Sequence, residues 1–180
     1  MTFETESSQT VFEGRVFKVR QDWVRYPDGR RILLDIVDHH GAVTILPVDD
    51  EGQIWFIRQY RHAAGKELLE LPAGVAEAGE AVETSALREL REEIGMGANH
   101  MEEIGGFYLA PGYSTEYMHV FLATGLYAAP LPGDETELLS VEKIPARQAL
   151  HLAEAGLLDD SKSLITLFWA RPLLDRLGWI

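Results

Sequence analysis

From Ala81 to Ile94 the apolar residues Val82, Ala86, Leu87, Leu90 and Ile94 return at helical spacing, and the same stretch carries Glu83, Glu89, Glu92 and Glu93. Residues three or four apart share one face of an α-helix, so the apolar set must lie against a core. The same rule sets Glu89 beside Glu92 and Glu93. Gly95 follows where a left-handed residue would end the helix. A fold that accepts this segment has to provide a packed surface for one face and an answer to like-charge repulsion on another. Arg88 and Arg91 offer part of that answer. Hard carboxylate oxygens gathered on one face also suit Mg²⁺ or Mn²⁺, which retain waters and engage substrate phosphates without a full protein cage.

Sheet dominates the chain before this helix. Apolar and polar residues alternate from Val11 to Val37 on both sides of Tyr26-Pro27-Asp28-Gly29, which predicts a long antiparallel hairpin. A second strand pair is expected over Ala42–Val48 and Gln53–Gln59 around the turn Asp49–Gly52, and a short strand over Glu67–Leu71 stops at Pro72. After the helix, strands are expected over Glu103–Leu109, Tyr117–Thr124 and near Leu138–Glu142, the last preceded by the acidic, turn-rich stretch from Ala128 to Glu137. Helices close the chain over Ala146–Ala155 and from Ser161 to about Leu174, with Pro172 expected to limit the far end. This is an α/β (α+β) pattern without internal repeats: residues 1–40 as an N-terminal hairpin extension, then 41–180 as the main domain. With 46% apolar residues, that length can bury a core.

Charge narrows the function classes. The 29 Asp and Glu against 16 Lys and Arg give a net charge of -13, a field that repels nucleic-acid backbones and anionic membranes. An anionic small molecule remains acceptable if Arg side chains and divalent cations reverse the sign of charge within the site. The chain has no Cys, which excludes disulfides, thiolate zinc sites and Cys nucleophiles. The pair His39-His40 has no third ligand at zinc-like spacing, and Gly65-Lys66 is not a phosphate-binding P-loop because Glu67 follows where Ser or Thr is needed. MTFETESSQT lacks a basic start with an apolar run, and no segment reaches the ~18 apolar residues of a membrane span, so a cytoplasmic protein is expected.

The segment as a whole resembles the Nudix box. Gly74 is followed after five residues by Glu80 and, after seven more, by Arg88-Glu89-Leu90-Arg91-Glu92-Glu93-Ile94-Gly95-Met96, so every defined position is filled. The resemblance implies a Nudix fold, a mixed β-sheet sandwiched between helices, acting on a diphosphate with Mg²⁺, Mn²⁺ being an alternative. By motif position, Glu89 and Glu93 would be the principal metal ligands, Glu92 a further one, and Ala73 would offer its backbone carbonyl. Gly74 would let the backbone turn tightly, Arg88 would orient the carboxylates, and Glu80 would brace the loop, with a direct metal role as its alternative.

The surroundings of the box resemble the ADP-ribose pyrophosphatases and related nucleotide-sugar hydrolases. In IRQYRHAAGKELLELPAG, Arg61 falls where that subfamily contacts phosphate, and Arg58 could share the task. Pro111, fifteen residues after Met96, stands where these enzymes carry a proline, within the substrate-loop-like APGYSTE. The acidic loop matches in position the one that supplies the catalytic base, for which Glu135 and Glu137 are both candidates. In this family an N-terminal extension often builds a homodimer, and Trp23, Tyr26 and Arg31 could bring stacking and charge to an adenine. The resemblance thus implies hydrolysis of ADP-ribose to AMP and ribose 5-phosphate. GDP-mannose, ADP-glucose or another nucleotide sugar is the alternative substrate, and a noncatalytic nucleotide-sugar-binding module the alternative class.

Overall fold

A computed structural model describes residues 2–77, 79–133 and 138–180 as two compact units. The first takes in Met1–Gly41 and Phe107–Tyr117. It is built on a three-stranded antiparallel sheet of β1 (Glu4–Glu13), β2 (Lys18–Arg25) and β3 (Arg31–Asp38), in the order β1-β2-β3. The expected hairpin is present as β2 and β3, in register from Lys18↔Asp38 to Arg25↔Arg31. Its turn closes through Tyr26 N–H to Arg30 O (2.8 Å), with Gly29 at φ 87° supplying the left-handed step. The extension is nevertheless a three-strand meander. β1 lies over ETESSQTVFE, where polar residues stand in succession and the pairing with β2 shifts register between Thr5 and Ser7 and again between Thr10 and Phe12. Irregularities of that kind erase the two-residue alternation on which strand recognition depends.

The second unit takes in Ala42–Gly106 and Met118–Ile180. Its sheet contains β4 (Ala42–Val48), β5 (Gln53–Arg61), β6 (Lys66–Glu70), β7 (Ala73–Val75), β8 (Met96–Tyr108), β9 (Tyr117–Ala128) and β10 (Leu139–Pro145). The order is β10-β5-β4-β9-β8, with β6 on β5 and β7 on β4. β4 is buried at every residue and runs parallel to β9 from Ala42↔Met118 to Val48↔Thr124. A strand shielded on both faces is largely apolar, as AVTILPV is apart from Thr44.

The expected β4/β5 pair corrects in one respect. The two strands meet at Val48↔Ile54 alone, after which β5 turns to β6 over Ile57–Arg61 and β4 takes β7 over Ala42–Thr44. β7 lies beyond Pro72, where sequence patterning showed no strand, because three residues are too short to reveal a period.

Helix α1 (Val82–Glu93) packs Ala86 and Leu90 with Val43, Ile45, Ile57 and Phe121 on one face of this sheet. Helices α2 (Ala146–Glu154) and α3 (Ser161–Arg176) cover the other, where Leu150, Leu167, Ala170 and Leu174 meet Leu46, Ile54 and Phe56. The side chains of β4 divide accordingly, Val43 and Ile45 toward α1, Leu46 and Val48 toward α2 and α3. This is the expected mixed sheet between helices. Gly95, at φ 72°, ends α1 as its position suggested. Pro172 does not end α3, which runs on to Arg176. The ring deprives the Phe168 carbonyl of its partner, and Phe168 is exposed, so water can replace the lost bond. Among the described residues no helix is long and apolar enough to cross a membrane.

Leu90 is fully buried where α1 meets β4 and β9. We expect Leu90→Ala to lower unfolding stability by about 2–5 kcal/mol. Denaturant titration checks this, and a cost near zero would show that α1 does not pack as described.

Candidate active site

Ala73 and Gly74 are placed by three attachments of the connection between β6 and α1. Pro72 O accepts from Ile45 N–H (2.9 Å) and from the Thr44 hydroxyl (3.3 Å), which pins the chain to β4. On the other side Ala73 N–H donates to Glu93 Oε2 at 2.8 Å, tying the strand to the last turn of α1. Gly74 lies in extended strand and pairs with Val43, so its expected role in a tight turn is corrected. A Cβ built there would fall 2.0 Å from the Glu89 carboxyl carbon. The position is glycine because the Glu89 carboxylate occupies the space that a side chain would need.

Arg88 organises the carboxylates on the exposed side of α1. One of its terminal nitrogens, Nη1, donates to Glu89 Oε1 (2.7 Å) and Glu92 Oε2 (2.9 Å), and Nη2 donates to Val75 O (3.3 Å). Glu80 accepts from the Ser85 hydroxyl at 2.6 Å and stands 3.7 Å from Arg88 Nε, which braces the loop before α1 against the helix. Among the described residues no three carboxylates already surround one point. The guanidinium stands between two of them and supplies the positive charge that their proximity requires. Around Arg88, burial pulls its pKa down, but the charges and hydrogen bonds of Glu89 and Glu92 outweigh burial and raise it.

Arg61 is engaged in this unit by a buried carboxylate. Its Nε and Nη2 form a bidentate pair with Glu70, at 2.8 and 2.7 Å. Glu70 is 1% exposed and also accepts from Lys162 at the start of α3. Burial drives the Glu70 carboxyl upward, but the Arg61 hydrogen bond and the Lys162 charge hold it below the ordinary glutamate value. Hydrogen bonding to Glu70 raises Arg61 further, and the charges of Glu93 and Asp160 also act on it. Arg61 therefore lies within the field of Glu93 at the end of α1. Arg58, three residues from Arg61 and so on the opposite face of β5, pairs instead with Glu142 of β10 at 2.6 Å, which corrects its expected share in phosphate binding.

Glu70, Lys162, Asp160 and Ser163 did not stand out in the sequence. Asp160 caps α3 through Ser163 N–H (3.0 Å), and Ser163 Oγ accepts from Leu71 N–H (2.7 Å), so the helix start also grips the end of β6. The available signals were a Glu between Leu69 and Leu71 before a proline and an Asp two residues ahead of a Lys; neither announces a buried charge.

Trp23 and Pro111 belong to the first unit. Arg31 stacks on the Trp23 ring at 4.1 Å and pairs with Glu6 at 2.5 Å, so tryptophan and arginine form one assembly diagonally across β2 and β3. Tyr26 takes Phe3 edge-on at 5.0 Å and Arg30 over its ring at 5.7 Å. Pro111 opens a turn in which Tyr113 and Ser114 donate to Ala110 O (3.1 and 2.9 Å), and Val37 N–H to Tyr113 O (2.7 Å) fastens that turn beside β3. Glu135 and Glu137 lie outside the described residues. The chain leading to them runs along α1: Leu131 N–H donates to Arg91 O at 3.1 Å, and a Cβ on Gly133 would come within 3.2 Å of Glu92 O.

These features define a carboxylate-bearing helix set against a short strand on a mixed sheet, and they agree with independent matches. Residues 38–167 match the NUDIX domain, and residues 3–33 match the nucleoside diphosphate sugar hydrolase N-terminal domain. The chain belongs to the Nudix hydrolase family, whose members work with a divalent metal ion. It is 46% identical over 125 residues to an ADP-ribose pyrophosphatase of Mycobacterium tuberculosis, the match covering 69% of this chain and 60% of that protein. It is 37% identical to an ADP-ribose pyrophosphatase of Bacillus subtilis over 89% of this chain and 88% of that one. A crystal structure of an ADP compounds hydrolase superposes over 100% of this chain and 98% of its own, with a TM-score of 0.87 at 28% identity.

The donor set fits a hard divalent cation: carboxylate oxygens on α1, a backbone carbonyl at Ala73, and a space kept clear by Gly74 for the Glu89 carboxylate. Gly74→Ala separates that role from folding. The clash falls on the flexible end of Glu89, so thermal stability should change little, whereas Mn²⁺ affinity measured by calorimetry should fall about tenfold to a hundredfold. Unchanged Mn²⁺ binding would remove Glu89 from the metal site.

Proposed function

We propose that this chain is a magnesium-dependent hydrolase that cleaves the diphosphate of ADP-ribose to AMP and ribose 5-phosphate, acting as a cytoplasmic homodimer. The observation that carries the chemistry is the placement of Glu89, Glu92 and Glu93 on α1 beside the Ala73–Gly74 strand, with Arg61 in the field of Glu93. ADP-ribose is supported by the names borne by the relatives that align over most of this chain. Exposed Phe3, Phe12, Val16 and Phe17 in the first unit support its use as a subunit contact.

Glu89, Glu93, Glu92 and the Ala73 carbonyl would hold the cation, with Arg88 keeping Glu89 and Glu92 aligned. Bound there, Mg²⁺ offsets the charge of the diphosphate and polarises its phosphorus centre. Arg61 pairs with phosphate oxygens, whereas Arg58, on the other face of β5 and held by Glu142, does not. Glu135 or Glu137 takes the proton of the attacking water as its oxygen bonds to phosphorus and the bridging phosphorus–oxygen bond breaks. Pro111 shapes the loop that receives the substrate, and the Trp23–Arg31 assembly offers an aromatic face to adenine.

Incubation with Mg²⁺ and ADP-ribose, GDP-mannose, ADP-glucose or dinucleotides, with products separated by chromatography, tests this. We expect fastest turnover of ADP-ribose to AMP, loss of turnover on chelation, and a fall on the order of a hundredfold or more for Glu93→Gln with its fold unchanged. Preference for GDP-mannose would overturn the substrate. No cleavage of any compound would overturn the hydrolase and favour a noncatalytic binding module.

A further inference from the structure

The cluster around Glu70 contains more cation than a structural ion pair needs. In the β5/β6 register, Ile57↔Glu70 and Arg61↔Lys66 place Glu70 on the same side of the sheet as Arg61, which reaches back along the strand to grip it. A carboxylate as buried as Glu70 must be neutralised to remain ionised. The bidentate guanidinium alone would do so. An isolated Arg61–Glu70 pair would then meet an incoming anion as a neutral dipole rather than as a cation.

Lys162 changes that balance. It donates to the same Glu70 oxygen, Oε2, that accepts from Arg61 Nη2. Its second partner, Asp160 Oδ2 at 2.9 Å, also accepts from Ser163 N–H and the Ser163 hydroxyl. That carboxylate is held by the N-terminal turn of α3, whose unpaired N–H groups stabilise negative charge. Lys162 therefore offsets part of the Glu70 charge that Arg61 would otherwise neutralise alone, and without it Arg61 would face Glu70 and Asp160 as a single cation against two carboxylates. Of the two cations Arg61 is the one that faces solvent, since the Lys162 side chain is 8% exposed and that of Arg61 is 39% exposed.

We propose that Lys162 is a positioning residue for phosphate recognition: by sharing the buried Glu70 carboxylate, it leaves Arg61 more of its positive charge to offer a substrate phosphate. The inference rests on the phosphate-binding role given to Arg61 above. It adds a dependence on a side chain that no substrate can touch.

Three variants, Lys162→Met, Glu70→Gln and the double variant, test it through the dissociation constant for ADP with Mg²⁺ present, read by titration calorimetry, and through KM and kcat on whichever diphosphate the wild type cleaves. Lys162→Met should weaken ADP binding and raise KM about tenfold while kcat stays within about threefold. The double variant should regain ADP affinity to within about threefold of wild type, because losing the Glu70 charge frees Arg61 again. A role confined to packing would leave the double variant as weak as Lys162→Met or weaker, and that result overturns the proposal, as does wild-type affinity in Lys162→Met. If Lys162→Met does not fold by circular dichroism, Glu70→Gln decides: affinity equal to or tighter than wild type supports charge sharing, and a tenfold loss refutes it. Wild type that binds ADP but cleaves nothing overturns the hydrolase alone, whereas wild type that does not bind ADP overturns the inference itself.

Discussion

One hydrogen bond joins the sheet to the chemistry. Ala73 N–H reaches Glu93 across the gap between β7 and the end of α1, so a backbone group of the sheet and a carboxylate of the helix are fixed by the same contact. The bond requires β7 to lie on β4, which in turn requires β5 to leave β4 after a single residue pair. It also requires α1 to hold its depth, which Ala86 and Leu90 secure by packing on β4 and β9. Departure of β5 from β4 looks like a defect in a hairpin, yet it creates the edge on which the functional strand sits.

Around that bond the charges fall into two groups with different solutions. Glu89 and Glu92 are partly buried and share Arg88. Glu70 lies inside and takes two cations. Both arrangements obey the rule that a carboxylate removed from water must find donors, and the rule is stricter for the interior one. Arg61 lies between the groups, held by Glu70 and within the field of Glu93. The chain as a whole is strongly acidic and α1 is acidic too, its four Glu outnumbering its two Arg, so an anionic substrate is acceptable there only with added positive charge.

Much of this was legible because helical periodicity and motif spacing are local properties. The limits of α1, its glycine stop and the strands from Ala42 to Gln59 follow from patterns a few residues long. What stayed hidden is non-local or irregular. Parallel pairing of β4 with β9 joins segments far apart in sequence and leaves no mark in either. β1 was lost to its two register shifts, and β7 to its length. At the site, Gly74 was legible as a fixed glycine but not in its reason, since close approach by Glu89 comes from a residue a helix away. The Glu70–Lys162 contact joins β6 to α3, and neither residue type suggests burial.

The parallel pairing of β4 also has a consequence for how the molecule is made. β4 is apolar at every residue but Thr44, and the strand that covers one of its edges begins only at Tyr117. During synthesis the ribosome delivers β4 long before β9, and contacts of such large sequence separation form slowly because loop closure precedes any gain. For that interval the most hydrophobic strand of the chain is an unpaired template, open to pairing with another nascent copy. The interior position that gives the mature enzyme its rigidity is thus the place where the growing chain is most exposed to misassembly.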